Sequence, residues 1–180
     1  MTGTLALDAP LSLTLSSDRI TRIARYDARG AQVSLDLKFA GLESIVGLHL
    51  GIGHSLLVQR LDPKLKSLDL TAKQVTIMWL AEANPEISQI EIARFLGIER
   101  STIHQFVRNL VRNGMITVMP NELDGRSSRI EITPKGQEHL AAARNVIIAH
   151  EVDGTARLTP IERRLLLELL YKLAGANSHG

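Results

Sequence analysis

SQIEIARFLGIERSTIHQFVRNLVRNG, running from Ser88 to Gly114, reads as two short helices joined by a tight turn. Ser88 is a good N-cap, and Glu91 three residues later completes a reciprocal capping box that satisfies two orphan backbone donors. Gly97 ends the first helix. Its apolar residues Ile92, Ala93 and Leu96 fall on one side, and Ile98 beyond the glycine plugs the angle between the helices. The second helix, about Arg100 to Asn113, places Ile103, Phe106, Val107 and Leu110 on one face and Ser101, His104, Gln105, Arg108 and Arg112 on the other. A short turn between two such helices is what a helix-turn-helix requires. The polar face contains no carboxylate. Arginine and glutamine reach base edges or phosphates, serine suits a phosphate, and no acid there repels a polyanion. Any amphipathic helix has a solvated polar face, so the surrounding chain has to separate a groove-binding helix from an ordinary one.

With 180 residues and no cysteine, the chain can bury a core without staples, and disulfides, thiol redox sensing, iron–sulfur ligation and cysteine-based zinc fingers are excluded. The absence of cysteine fits a reducing, cytoplasmic location. The formal charge is only +2, so a nucleic-acid surface must be local, and Arg100, Arg108 and Arg112 supply that locality. Aromatic residues make up 3% of the chain, too few for stacking platforms that hold single strands or RNA. No basic segment followed by an apolar run marks a signal peptide. The most lipid-like stretch, Ser44 to Val58, falls short of the roughly 18 apolar residues that a span needs, so no membrane partner is expected.

Ahead of the helix pair, Leu11, Leu13 and Leu15 alternate with polar residues, as do Val33, Leu35, Leu37 and Phe39, and Asp27 to Gly30 looks like a turn. Residues 1–40 are therefore expected to form an arm, possibly a β hairpin, that packs on the body or on a second subunit. Gly41 to about Leu61 reads as a helix apolar around most of its circumference, with Asp62 and Pro63 marking a break or kink. Thr71 caps the next helix, which carries Val75, Met78, Trp79 and Glu82 on successive turns and ends at Asn84–Pro85. Pro85 to Ser88 adds a short extended piece. After Gly114 the period changes to that of two strands, Met115 to Pro120 and Arg129 to Thr133, joined by Asn121 to Ser128 with Asp124 and Gly125 as turn residues. Such a β-wing can insert an arginine into the minor groove while the helix occupies the major groove. Thr133 and Pro134 start a helix running to about His150 and stopped by Asp153–Gly154; Thr159, Pro160 and Glu162 start a last one. Its apolar residues Ile161, Leu165, Leu166, Leu169, Leu170 and Leu173 cover about half its surface, more than a monomer's outer helix should show.

The motifs LTAKQ (Leu70 to Gln74), the stretch from Ser88 to Ile116, DGRSSR (Asp124 to Arg129) and ITPKG (Ile132 to Gly136), in this order, make the chain similar to the MarR family of bacterial transcriptional regulators. The likeness covers about Gly41 to Ala174. It implies a mainly α fold with a small β-wing: a winged helix-turn-helix DNA-binding domain at residues 71–133, a helical dimerisation domain from residues 41–70 and 134–175, and a tail at 176–180. It further implies a homodimer whose two winged lobes contact adjacent major grooves of a near-palindromic double-stranded operator, no enzymatic activity and no cofactor. Arg126 would be the wing arginine, with Asp124 holding it in place. The expected DNA-binding set is Arg100, Ser101, Thr102, His104, Gln105, Arg108, Arg112, Asp124, Arg126 and Arg129. One departure matters: where the family often has an Asp in the recognition helix, this chain has Arg108 followed by Asn109.

Regulators of this kind resemble repressors released by small aromatic acids bound between the dimerisation helices and the winged lobe. By position, His54 and Trp79, and less directly His49, would line that cleft. Two alternatives stand beside this picture. One is a winged-helix module that binds protein and not DNA. The other is a metal-responsive regulator using His49, His54, His139 and His150, although His139 and His150 lie too far apart on one helix for a single ion and no short ligand spacing occurs, so no metal ligand is assigned.

Overall fold

The computed structural model describes residues 20–26, 32–38, 40–120 and 128–175. Two compact units divide the chain, Met1–Leu56 and Leu57–Gly180.

In the first unit, β1 (Ile20–Tyr26) and β2 (Gln32–Lys38) pair as an antiparallel hairpin, in a register that sets Ile23 opposite Leu35 and Thr21 opposite Leu37. The expected hairpin is present, but the strand opposite Val33–Leu37 is Ile20–Tyr26. The expected strand at Leu11–Leu15 lies outside the described residues, as do the turn at Asp27–Gly30 and Phe39. A 3-10 turn at Leu42–Ser44 follows, entered through Gly41 at φ 99°, and its amide donates to Glu43 Oε2 at 2.9 Å.

Helix α1 spans Val46–Lys66, so it starts later and ends later than the apolar pattern suggested. The 3-10 turn, closed by an extended Ile45, occupies the expected first turn. Pro63 lies inside the helix and does not end it. A proline removes one helical donor, and here the apolar spacing carries on past it, with Leu61 and Leu65 both buried.

The second unit is built around one core, in which Leu65, Val75, Ile77, Met78, Ile92, Ile103, Leu110, Ile116, Ile130 and Leu140 are fully or almost fully buried. Helix α2 (Ala72–Ala83) opens on a complete capping box, Thr71 with Gln74. Of its expected inward residues, Val75 and Met78 are buried, but Trp79 is 36% exposed and Glu82 is exposed; Ile77 and Ala81 take the inward places. Helix α3 (Gln89–Leu96) opens on the Ser88–Glu91 box and ends at Gly97, whose φ of 60° is the left-handed conformation that glycine adopts without strain. The Ile98 amide then reaches back to the Ala93 carbonyl at 3.1 Å, and half-buried Ile98 packs on the core between α3 and α4 (Arg100–Arg112).

Strands β3 (Ile116–Pro120) and β4 (Ser128–Ile132) form an antiparallel ladder from Ile116↔Ile132 to Pro120↔Ser128. A bridge between Ser88 and Arg129, with the Ile130 amide on the Ile87 carbonyl at 3.3 Å, adds the short extended piece before α3 to the base of this wing. Helix α5 (Pro134–Gly154) is capped by Thr133 with proline in its first turn. It ends at Gly154, where Asp153 and Gly154 were expected to stop it. A Cβ at Gly154 would come within 2.4 Å of Leu57 Cδ2, so this glycine also permits close approach to Leu57. Helix α6 (Pro160–Leu173) opens on the Thr159–Glu162 box and buries no residue.

Candidate nucleic-acid interface

The recognition helix is set by its buried side. Ile103, Val107 and Leu110 are at most 2% exposed, which fixes α4 about its own axis and turns Arg100, Ser101, His104, Gln105, Arg108 and Arg112 outward, with Thr102 half-buried. Helical spacing alone produces this division. The helix carries no acidic residue from Arg100 to Arg112, and its N-terminal end, where unpaired amides attract anions, points out of the α3–α4 corner with Arg100 and Ser101 in its first turn.

Two clefts flank this face. An open cleft of about 800 Å³ is lined by Gln89, His104, Gln105, Arg108, Arg112 and Val118, so it joins the recognition helix to β3 of the wing. A second, of about 440 Å³, lies on the other side, among Ser88, Gln89, Arg100, Ser101, His104 and Ser128. Gln89 and His104 belong to both, and Gln89 Oε1 stands 3.3 Å from His104 Nδ1. Arg112 is steadied by a 3.0 Å hydrogen bond that it donates to Asn109 Oδ1.

The wing tip, with Asp124 and Arg126, lies outside the described residues. At its base, Arg129 donates to Glu86 Oε1 at 2.6 Å. This guanidinium ties β4 to the segment before α3, a holding role that the sequence reading did not anticipate.

The Ser88–Glu91 box has an electrostatic consequence. Hydrogen bonds from the Ser88 amide and hydroxyl hold the Glu91 carboxyl below its usual range, with Arg94 adding to the effect. Glu162 is lowered in the same way by the amide and hydroxyl of Thr159.

The residues expected to line an effector cleft fall on both units. His49 and His54 are exposed on α1, with His49 Nε2 3.0 Å from the Glu43 carbonyl. On the second unit, Trp79 presents its ring to the Arg144 guanidinium, whose carbon sits 4.4 Å from the ring centroid, and Arg144 also pairs with Glu82. His150 is buried and engages the Leu57 carbonyl at 2.7 Å; His139 engages the Lys135 carbonyl at 3.0 Å. Among the described residues, no three or more His, Cys, Asp or Glu side chains are grouped so that they could hold one ion.

Residues 70–128 match the family model described as MarR family. Over these residues the chain is similar to the MarR family. Among similar proteins, a Thauera aromatica protein named as a transcriptional regulatory protein for the hcr operon is 32% identical over 90 residues, which cover 50% of this chain and 54% of that protein. The chain thus spans about half the length of this curated relative. The repressor CouR, solved bound to a 23-mer DNA duplex, is 28% identical with a TM-score of 0.71, covering 78% of this chain and 99% of that one. A mutant MarR from E. coli, solved with operator DNA, shares the fold at 22% identity and a TM-score of 0.66, over 77% of this chain and 99% of its own.

Within this MarR-type lobe, sequence reasoning found the helix pair, its caps and the outward set on α4. It missed Gln89, Glu86 and Arg144. Gln89 had a signal, since the first residue of α3 lies beside the outward face of α4 in any helix-turn-helix. Glu86 and Arg144 had none, because their partners stand 43 and 62 residues away in the chain.

Proposed function

We propose that this protein is a sequence-specific transcriptional regulator that binds double-stranded DNA as a homodimer, with α4 in the major groove and the wing against the minor groove. The observation that carries this is the acid-free outward face of α4, held in place by buried Ile103, Val107 and Leu110 and flanked by clefts that reach the wing. Ser101, Thr102, His104 and Gln105 contact base edges; Arg100, Arg108 and Arg112 position the helix on phosphates. Arg108 stands where relatives often carry an acid, and being exposed it serves a phosphate. Asp124 and Arg126 act at the wing tip. The rival, a module that binds protein alone, has no need of this cationic face.

Dimerisation is supported by α6, where Ile161 is 80% exposed and Leu165, Leu169 and Leu173 more than half exposed, and by Val46 and Ile45 at the start of α1. Apolar surface on this scale is characteristic of a subunit interface. A near-palindromic operator follows from a two-fold dimer. The regulator acts as a repressor released by a small aromatic acid. Trp79 supports this, offering a partly exposed ring beside the Arg144 guanidinium, chemistry suited to an aromatic carboxylate. Working on DNA places the protein in the cytoplasm; among the described residues no helix is long and apolar enough to cross a membrane.

The experiment is a footprint on the intergenic DNA beside the gene, with and without hydroxybenzoates and with and without zinc. Protection of a near-palindrome, lost on adding a hydroxybenzoate, is expected. No protection at any salt concentration would refute DNA binding, and release by zinc alone would refute the aromatic-acid effector.

A further inference from the structure

Gln89 belongs to α3 and lies outside the set of residues assigned above to base or phosphate contact, yet it touches the centre of that set. Its side-chain oxygen faces His104 Nδ1 at 3.3 Å, and both residues line both clefts beside the recognition helix. His104 is exposed while Gln89 is half-buried, anchored at the first position of a helix whose N-terminus is locked by the Ser88–Glu91 box. The partner that can move is therefore the histidine, and the glutamine holds it.

An amide oxygen only accepts hydrogen bonds, so with the Gln89 amide turned as it is here, the arrangement that completes the contact has the proton on the ring nitrogen that faces it. In a neutral imidazole, a proton on Nδ1 leaves Nε2 with its lone pair. Nε2 lies on the far side of the ring from Gln89. In the major groove, the hydrogen-bond donors are the N4 amino group of cytosine and the N6 amino group of adenine, whereas guanine and the oxygen of thymine offer acceptors. An acceptor at Nε2 pairs with the first two and meets the lone pairs of the others.

We infer that Gln89 is a positioning residue for specificity: it selects the Nδ1-protonated tautomer of His104, so that Nε2 reads an amino-bearing base, adenine or cytosine, in the operator. This rests on the DNA-binding proposal and extends it, since it states the chemical class of base that one residue accepts and names a second residue on which that choice depends. The ring would rotate and exchange tautomers without Gln89, and His104 would then tolerate acceptors as well as donors.

The test uses the full-length protein and DNA that it selects from a randomised duplex library. Affinities are then measured on single base-pair variants of the selected site at about pH 8, well above the ordinary histidine range. The His104→Ala protein identifies its base pair as the one position where preference disappears. At that pair, replacing the amino-bearing base by an analogue that lacks only the major-groove amino group, such as purine for adenine, should weaken wild-type binding by about tenfold. Gln89→Met, which keeps the length of the side chain but removes the acceptor, should reduce the preference there to less than about threefold while leaving other positions unchanged. Gln89→Glu keeps an acceptor, so it should retain the preference even though its charge weakens binding to every duplex. Circular dichroism melts of each variant separate loss of fold from loss of reading. Three results would overturn the inference: no loss of binding when that amino group is removed, unchanged preference there in Gln89→Met, or a Gln89→Met effect spread evenly over all positions. If the wild type selects no sequence at all, DNA reading itself fails, an outcome distinct from these three and one that removes the inference with it.

Discussion

Replacing Gly136 with alanine sets helix propensity against packing, and the two predict opposite signs. In the third position of a capped helix, alanine is favoured over glycine by about 1 kcal/mol. At this glycine, however, an added Cβ would fall 1.9 Å from the Met115 carbonyl oxygen and 2.9 Å from Ile132 Cγ2. Ordinary contact lies near about 3.5 Å, so the first turn of α5 would have to retreat by on the order of 1 Å. The backbone there has little freedom. Met115 O accepts the Thr133 amide at 3.1 Å, the Gly136 amide donates to Thr133 Oγ1 at 3.0 Å, and Thr133 Oγ1 donates to the Gly114 carbonyl at 2.7 Å. Retreat would strain or break the N-cap, worth about 1 kcal/mol, and one backbone hydrogen bond, worth about 1 kcal/mol. Overpacking adds about 2 kcal/mol. After allowing for the propensity gain, Gly136→Ala should destabilise the protein by about 3 kcal/mol, lowering Tm by about 6 to 12 °C for a chain of this size. Thermal unfolding followed by circular dichroism measures this directly. An unchanged or raised Tm would refute the packing account, because propensity alone predicts a gain.

Further expectations concern the interface, the acid limb of stability and the dimer. Gln105→Ala should cost about 1 to 3 kcal/mol at one base pair, whereas Arg112→Ala should weaken all sequences alike and flatten the salt dependence by about one unit, both measured by titration over a salt series; equal losses on random DNA would contradict that division. Because the Glu91 carboxyl lies below its usual value in the folded protein, its stabilising contribution is complete above the unfolded value and is lost as pH falls through the folded one. Glu91→Gln, which can still cap, should therefore melt with a weaker dependence on pH below about 4.5, and an identical acid limb would count against the Ser88 hydrogen bonds as the cause. Leu169→Glu on α6 should convert dimer to monomer in sedimentation and raise the half-saturation of operator binding by at least about tenfold; an unchanged dimer would move the interface elsewhere.

Much of the lobe was legible in the sequence because its signals are short in range. The boxes Ser88–Glu91 and Thr159–Glu162, the glycine at the end of α3, the proline opening α5 and the two faces of α4 all depend on residues within a turn or two of one another. Local sterics and backbone donors dictate these features whatever surrounds them. The outward set on α4 followed for the same reason, since fixing Ile103, Val107 and Leu110 inward leaves His104, Gln105 and Arg108 no other side.

Where the sequence misled, distant contacts had overridden a local sign. Pro63 reads as a break, yet α1 runs on to Lys66 and buries Leu65 beyond it. Trp79 fits an apolar stripe, but Arg144 holds it at the surface, and Arg129 looks like a groove cation until Glu86 claims it. By itself, then, the sequence determined the helices, their caps and their faces, because periodicity and capping act between near neighbours. Only the tertiary structure decided which charged and polar groups are committed to one another, Arg129 to Glu86, Arg144 to Glu82 and Gln89 to His104, because those pairings depend on which surfaces the core brings within hydrogen-bond reach.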